Sequence, residues 1–168
     1  MTILGVCEWL ESTSLAILIQ ESAYGFPIVV AVHILGLTFS VGTLLWVDLR
    51  MLGLGFGQFR VSEVYRGLAP WFLAGFAVML ISGATLFTAF ATSAYGNVYF
   101  RIKMAALVLA AANALVFHVV TEKASVRWDD ATRPPAAVRA AGLTSIVLWA
   151  AVILAGRMMS YTMFSYPQ

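Results

Sequence analysis

Four long apolar stretches, joined by short connecting segments, limit what this chain can fold into more than any other feature. Of its 168 residues, 61% are hydrophobic and only 11% are charged, whereas soluble domains carry about 25% charged residues. A helix that crosses a bilayer needs about 20 mainly apolar residues. The sequence therefore predicts an all-α integral membrane four-helix bundle, in which residues 1–168 form a single transmembrane domain.

The spans are expected at about 24–47, 70–91, 98–120 and 140–164. Residues 53–67 are too polar and glycine-rich to span, 92–97 have turn composition, and 121–139 form the most polar stretch. In a helix over residues 5–20, apolar residues would lie mainly on one face and polar residues on the other, which indicates a short N-terminal interfacial helix. A signal peptide requires Lys or Arg before its apolar stretch, and the first 22 residues contain neither. The mature protein is therefore expected to start near Met1.

The distribution of cations predicts the orientation, because Lys and Arg in short loops favour the cytoplasm. One side of the bundle carries most of the cations: Arg50, Arg60, Arg66, Lys123, Arg127, Arg133 and Arg139. This side is predicted to be cytoplasmic, which places both termini outside. The bacterial inner membrane is the expected location.

Charge and cysteine content exclude some classes of protein. The formal net charge is only +2 and the cations are scattered, so no nucleic-acid partner is expected. Cys7 is the one cysteine, and it allows neither an intramolecular disulfide nor a cysteine-based zinc site.

Polar side chains inside the spans are the candidate functional residues, because lipid makes them costly. They are His33, Lys103, Asn113, His118 and Arg157. At 1.5 Å per residue, the first histidine lies about 14 Å below the outer surface, the lysine about 8 Å and the arginine about 10 Å. These three share the outer half of the membrane, whereas the second histidine lies about 30 Å down.

The depths separate two sites. His33 and His118 would lie roughly 16 Å apart along the bundle axis, so they cannot ligate one haem from opposite faces. The inner polar set consists of Asp48, His118 and Asn113. A structural pairing of the aspartate with the histidine is expected there rather than a proton relay, and the asparagine is expected to form an interhelical hydrogen bond.

The outer set allows two interpretations. In one, His33 ligates a metal or haem while Lys103 and Arg157 hold anionic groups such as propionates. In the other, the histidine bonds a neighbouring backbone group or Tyr161, and the two cations extend to the interface. Further sulfur ligands would come from two methionines in the spans, which more often serve in packing: Met104 and Met158.

Three segments carry a resemblance to known membrane proteins. They are AVHILGLTFSVGTLLWVDLR in span one, FRIKMAALVLAAANALVFH in span three and WAAVILAGRMMSY in span four. Together they resemble a family of uncharacterised four-helix bacterial membrane proteins over most of the chain. This resemblance implies the fold and no established activity.

The order of polar residues is also distantly similar to that of HemJ-type protoporphyrinogen oxidases and CopD-type copper-resistance membrane domains. HemJ proteins bind haem b and have a histidine in span one, a lysine early in span three and a histidine near its end, positions that match His33, Lys103 and His118. Arg66 and Pro70 match the entry to span two. The chain departs from that pattern in its acidic N-terminal helix and in Arg157, which leaves the substrate open.

The resemblance favours a haem b-binding membrane protein that acts in electron transfer or oxidises a small lipophilic substrate. His33 is the expected iron ligand. A copper or small-solute carrier and a non-catalytic membrane subunit are the alternatives. The expected partners are the lipid bilayer and either a redox protein or a quinone, and association with further copies of the chain is left open.

Overall fold

The computed structural model describes residues 2–55, 57–117, 119 and 134–165, and within them every regular element is a helix. In chain order these are α1 (Ile3–Glu11), α2 (Ser14–Glu21), α3 (Gly25–Leu52), α4 (Val61–Ala89), α5 (Ala91–Gly96), α6 (Val98–Val116) and α7 (Ala136–Ser165). Four of them, α3, α4, α6 and α7, are long and apolar enough to cross a membrane. Many of their large apolar side chains point outward, as contact with lipid requires. The predicted all-α four-helix membrane fold is confirmed.

The four long helices form two antiparallel pairs, α3 with α4 and α6 with α7, and the contact of α3 with α7 joins the pairs. In the first pair the backbones touch. A Cβ atom added to Gly75 would lie 2.6 Å from the backbone nitrogen of Ser40, and one added to Gly36 would lie 2.9 Å from that of Met79. Small residues permit such close approach of membrane helices.

Helix α4 begins at Val61, well before the expected position near residue 70, so the expectation of a loop up to Gly67 is wrong. A side chain caps the new start: the backbone N–H of Arg60 donates to the Oε2 of Glu63 at 2.9 Å. Pro70 therefore lies inside the helix instead of at its entry. The added turns are held by a buried apolar cluster at the α3 and α7 ends, consisting of Val47, Met51, Val61 and Val138.

The N-terminal segment forms two short helices rather than one, with a bend of 63° between α1 and α2. Side chains at the bend bond back to the preceding turn: the Oγ of Ser12 donates to the Trp9 carbonyl at 2.8 Å, and the Oγ1 of Thr13 donates to the Leu10 carbonyl at 2.7 Å. Such local bonds compete with the helix and interrupt it. Taken as one bent element, α1 and α2 also pass the length and composition test for a span.

The helices α1 and α2 pack across the junction of α4 and α5. Both the backbone N–H and the hydroxyl of Thr92 donate to the Glu11 carboxylate, at 2.9 and 2.8 Å, and the Gln20 amide donates to the Ala89 carbonyl. The expected turn over 92–97 is instead mostly the short helix α5. This end of the bundle is therefore covered by two short, largely apolar helices, which side-chain hydrogen bonds hold against α4 and α5.

Candidate functional site

The candidate site begins with His33, which projects from α3 onto α4 and is half-buried. Its Nδ1 lies 3.0 Å from the Oγ of Ser82. Its Cε1 occupies the space above Gly83, where an added Cβ would lie only 3.1 Å away. A glycine at this point of α4 therefore makes room for the imidazole edge.

The hydrogen bonds of Ser82 assign the proton on His33. The serine hydroxyl donates its only proton to the Val78 carbonyl at 2.6 Å, so its oxygen accepts from the histidine. The Met79 carbonyl, a second acceptor, also lies beside the ring. Nδ1 is therefore the donor to Ser82, and in the neutral ring the lone pair resides on Nε2.

Lys103 supplies the second polar group of the site from α6. It is half-buried, and its Nζ lies 3.8 Å from the position of a Cβ atom added to Gly156 of α7. It is close enough to His33 for the two side chains to interact electrostatically. Among the described residues no hydrogen bond or ion pair satisfies this ammonium group.

Apolar groups enclose these residues from both sides along the bundle axis. One turn toward the outer end, Phe87 of α4 stacks on Phe100 of α6 with 5.3 Å between ring centroids. One turn toward the middle lies a buried cluster drawn from α4, α6 and α7, formed by Met79, Ala106, Trp149 and Val152. His33, Ser82 and Lys103 therefore form a polar layer between two apolar layers, and low polarity there strengthens any electrostatic interaction with a ligand.

The other outer residues lie away from this polar layer. Arg157 and Tyr161 are both exposed, with the guanidinium 4.8 Å from the ring centroid and donating to the phenol oxygen at 3.0 Å. Met104 and Met158 are also exposed, by 44% and 42%. The structure thus brings together His33 and Lys103 and directs the remaining four side chains outward.

At the opposite end, Asp48 is buried and forms a hydrogen bond with Ser145 of α7. Asn113 donates to the Ala141 carbonyl at 3.1 Å, which is the expected interhelical hydrogen bond. His118 lies outside the described residues. The aspartate and asparagine both connect other helices to α7, which suits a structural role.

The contribution of small residues to the site was not evident in the sequence. Ser82, Gly83 and Gly156 have no chemistry of their own that would single them out in apolar helices. In the structure Gly83 receives the histidine ring. Predicting these contacts would require the register of α3 against α4.

A cluster of metal ligands is not found in the described part of the chain, where no group of three or more His, Cys, Asp or Glu side chains converges. The site therefore offers one imidazole nitrogen and one ammonium group. This donor set can ligate an iron that a macrocycle already holds, and it can neutralise an anionic substituent.

Comparisons with known proteins complete the description. A search of curated proteins finds no significant match, and a search of solved structures finds none either. One family model, described as a family of unknown function (DUF6644), matches residues 6–162, from α1 almost to the end of α7. The match covers nearly the whole chain, and on this basis the chain belongs to the DUF6644 family of unknown function.

Proposed function

We propose that this chain is a haem b-binding membrane protein of the bacterial inner membrane, acting in electron transfer or in the oxidation of a small lipophilic substrate. One observation carries the proposal: the Oγ of Ser82 accepts a hydrogen bond from the Nδ1–H of His33, which leaves the lone pair of the neutral ring on Nε2. Histidines that ligate metals usually donate their other ring N–H in this way, and the donation fixes the tautomer and orientation of the ring.

The two polar groups of the site are of the chemical types that haem binding needs. Haem iron needs one strong axial ligand from the chain, which imidazole supplies, and the propionates need cations or donors. Lys103 is the cation beside His33, and no described residue already neutralises it. The exposed Arg157, bonded to Tyr161, is less suited to this role.

The packing of the helices limits where a planar group can lie. Because Gly36 and Gly75 bring α3 and α4 into backbone contact, no macrocycle fits between those two helices. The group would then lie outside that helix contact, where Lys103 is close enough to His33 to interact with it electrostatically. A bound haem would supply one-electron chemistry, while the protein would orient the imidazole, hold an anionic substituent and exclude water.

The order of the polar residues motivates the same proposal, because His33 and Lys103 resemble in position the histidine and lysine of HemJ-type oxidases, while the searches of curated proteins and solved structures add no match. The same two residues favour haem over copper. An ammonium group beside the imidazole repels a bare cation, and the sulfur atoms of Met104 and Met158 belong to exposed side chains.

Absorption spectroscopy tests the proposal. The chain is produced with ample haem supply, purified in mild detergent, and compared with His33→Ala and His118→Ala, which removes the other histidine of the chain. The wild type and the His118 variant should both show a Soret band, because the sequence predicts that the second histidine is about 22 Å from Lys103 along the same span. The His33 variant should lose or strongly shift that band.

Other results would reject the proposal in distinguishable ways. An unaltered haem spectrum and stoichiometry in His33→Ala would remove the assigned ligand. Copper without a Soret band in the wild type, measured by elemental analysis, would instead support a carrier. Neither metal nor haem would support a non-catalytic membrane subunit.

A further inference from the structure

The end of the bundle beyond the polar layer is closely packed. Phe26 of α3 meets Phe90 edge-on, with 5.3 Å between the ring centroids, and the Asn97 amide donates to the Oγ1 of Thr162 at 2.8 Å, which ties the start of α6 to α7. Where α2 covers the junction of α4 and α5, three small side chains have no exposed surface: Ala16, Ala89 and Ala91. A compound that came from the water at this end would have to separate these contacts.

Helix contacts close three of the four sides of the bundle. Helix α3 packs on α4 through glycines, α7 packs on α3, and α6 packs on α7, where Lys103 lies across Gly156. On the fourth side, α4 and α6 are neighbours, but their backbones approach each other much less closely. The polar layer is therefore covered on this side by side chains rather than by a contact between helix backbones.

The stacked rings of Phe87 and Phe100 bridge α4 and α6 on this fourth side, nearly parallel with an interplanar angle of 14°. Phe87 lies one turn from Gly83, over which the imidazole of His33 packs, and Phe100 lies one turn from Lys103. Both rings are partly exposed. The pair therefore stands directly beside both polar groups of the site.

The helix faces that carry the two rings also carry exposed apolar side chains. Leu80 lies two turns before Phe87, and Met104 lies one turn after Phe100, so each shares a face with its ring. Both are exposed, Leu80 by 61%. Exposed apolar side chains on a membrane-spanning helix contact lipid tails. A compound that reaches this side of the bundle therefore comes from the membrane.

We propose that the ligand reaches the polar layer from the bilayer by passing between α4 and α6, and that the rings of Phe87 and Phe100 close this route. Turning one ring to another rotamer opens the gap, and side-chain rotamers change without movement of the backbone. The ligand is then a compound dissolved in the membrane, with an apolar body and an anionic group for Lys103. The route rests on the ligand site of the proposed function and names the phase from which its ligand comes.

Thiol labelling tests the route without haem. In a background with Cys7→Ala, Ser82→Cys places a thiol beside the imidazole of His33, which favours the reactive thiolate. In nanodiscs, lipid-soluble N-phenylmaleimide should label this thiol. A disulfonated maleimide, which cannot enter lipid but reaches both faces of a nanodisc, should not. Lys103→Cys is the second reporter on the other side of the polar layer, and it decides if Ser82→Cys does not fold.

Substitutions of the stacked pair test whether it closes the route. Phe87→Ala and Phe100→Ala should each speed labelling by the lipid-soluble reagent about two- to tenfold, the range expected for the loss of one aromatic stack. Phe72→Ala is the matched control, because it removes a ring from another stacked pair of α4, Phe72 with Phe76. That pair is about 15 Å from Ser82 along the helix, so the rate should not change.

Glu11→Ala tests the route from the water. It removes the carboxylate to which Thr92 donates and so loosens the cover by α1, but it should change neither labelling rate. Labelling by the disulfonated reagent would show entry from water and overturns the proposal. Equal rates in Phe72→Ala and Phe87→Ala overturn it as well. Absence of a Soret band together with the expected labelling rejects haem and retains the route, whereas a Soret band without that labelling retains haem and rejects the route.

Discussion

The Nζ of Lys103 lies 3.8 Å from the place where a Cβ atom of Gly156 would stand, so the lysine of α6 reaches the interior across a glycine of α7. The next residue of α7, Arg157, is exposed. Two cations at similar depth thus have different surroundings. Only the lysine can take part in a ligand site within the bundle.

The two cations can be tested by matched substitutions. Lys103→Met removes the positive charge that lies near His33 in the described part of the chain and should lower haem affinity about 10- to 100-fold, the range expected for a lost charge-assisted hydrogen bond. Arg157→Gln should leave affinity unchanged, because its guanidinium is bonded to Tyr161 on the outer surface. Haem titration of the apoprotein measures both. Equal losses would contradict this assignment.

Ser82→Ala tests the orientation of the histidine. Without the hydroxyl, the Nδ1–H of His33 loses its acceptor at 3.0 Å, and haem affinity should fall about 10- to 100-fold with a shifted Soret maximum. Ser160→Ala is the control, because that hydroxyl is exposed and bonds only the Gly156 carbonyl of its own helix. An unchanged spectrum in Ser82→Ala would show that the serine does not orient the ligand.

Gly75→Ala tests the contact of α3 with α4. The added Cβ would lie 2.6 Å from the Ser40 backbone nitrogen, so the helices must separate, at a cost of about 1–3 kcal/mol in the free energy of unfolding. Gly42→Ala adds the same methyl group to a glycine that has nothing within 4 Å. Thermal unfolding in detergent should show a lower midpoint for the first variant only. A wild-type midpoint for Gly75→Ala would rule out the close contact.

Labelling of introduced cysteines tests the orientation of the bundle. Gly57 and Gly96 are both exposed, have open space around them and lie at opposite ends of the long helices. In a background with Cys7→Ala, a membrane-impermeant thiol reagent added to intact cells should label Gly96→Cys and spare Gly57→Cys, because cations favour the cytoplasmic side. The reverse pattern would invert the topology.

Hydropathy was sufficient to predict the four long helices. In lipid an unpaired backbone N–H or C=O group is costly, and a helix pairs these groups within each apolar stretch. Membership of an uncharacterised family is likewise confirmed. The start of α4 was misplaced because Pro70 and the polar residues before it resemble an entry point. The capping of Arg60 by Glu63 shows that the helix has already formed there.

The candidate site was only partly predictable. Depth along each span predicted which polar residues share a level, but not the direction in which each side chain points. Lys103 faces inward and Arg157 outward, and that difference follows from the rotation of each helix in the bundle. Ser82 is 49 residues from His33, so their contact depends on helix register, which apolar sequence does not reveal.

The backbone contact of Gly36 and Gly75 has a consequence for motion. Separating α3 from α4 would break this contact, and His33 and Ser82 both belong to this closely packed pair. Lys103 belongs to the other pair, formed by α6 and α7. A motion of one helix pair against the other would therefore change the distance between the imidazole and the ammonium group, so the separation of these two side chains would measure how far the pairs have moved apart.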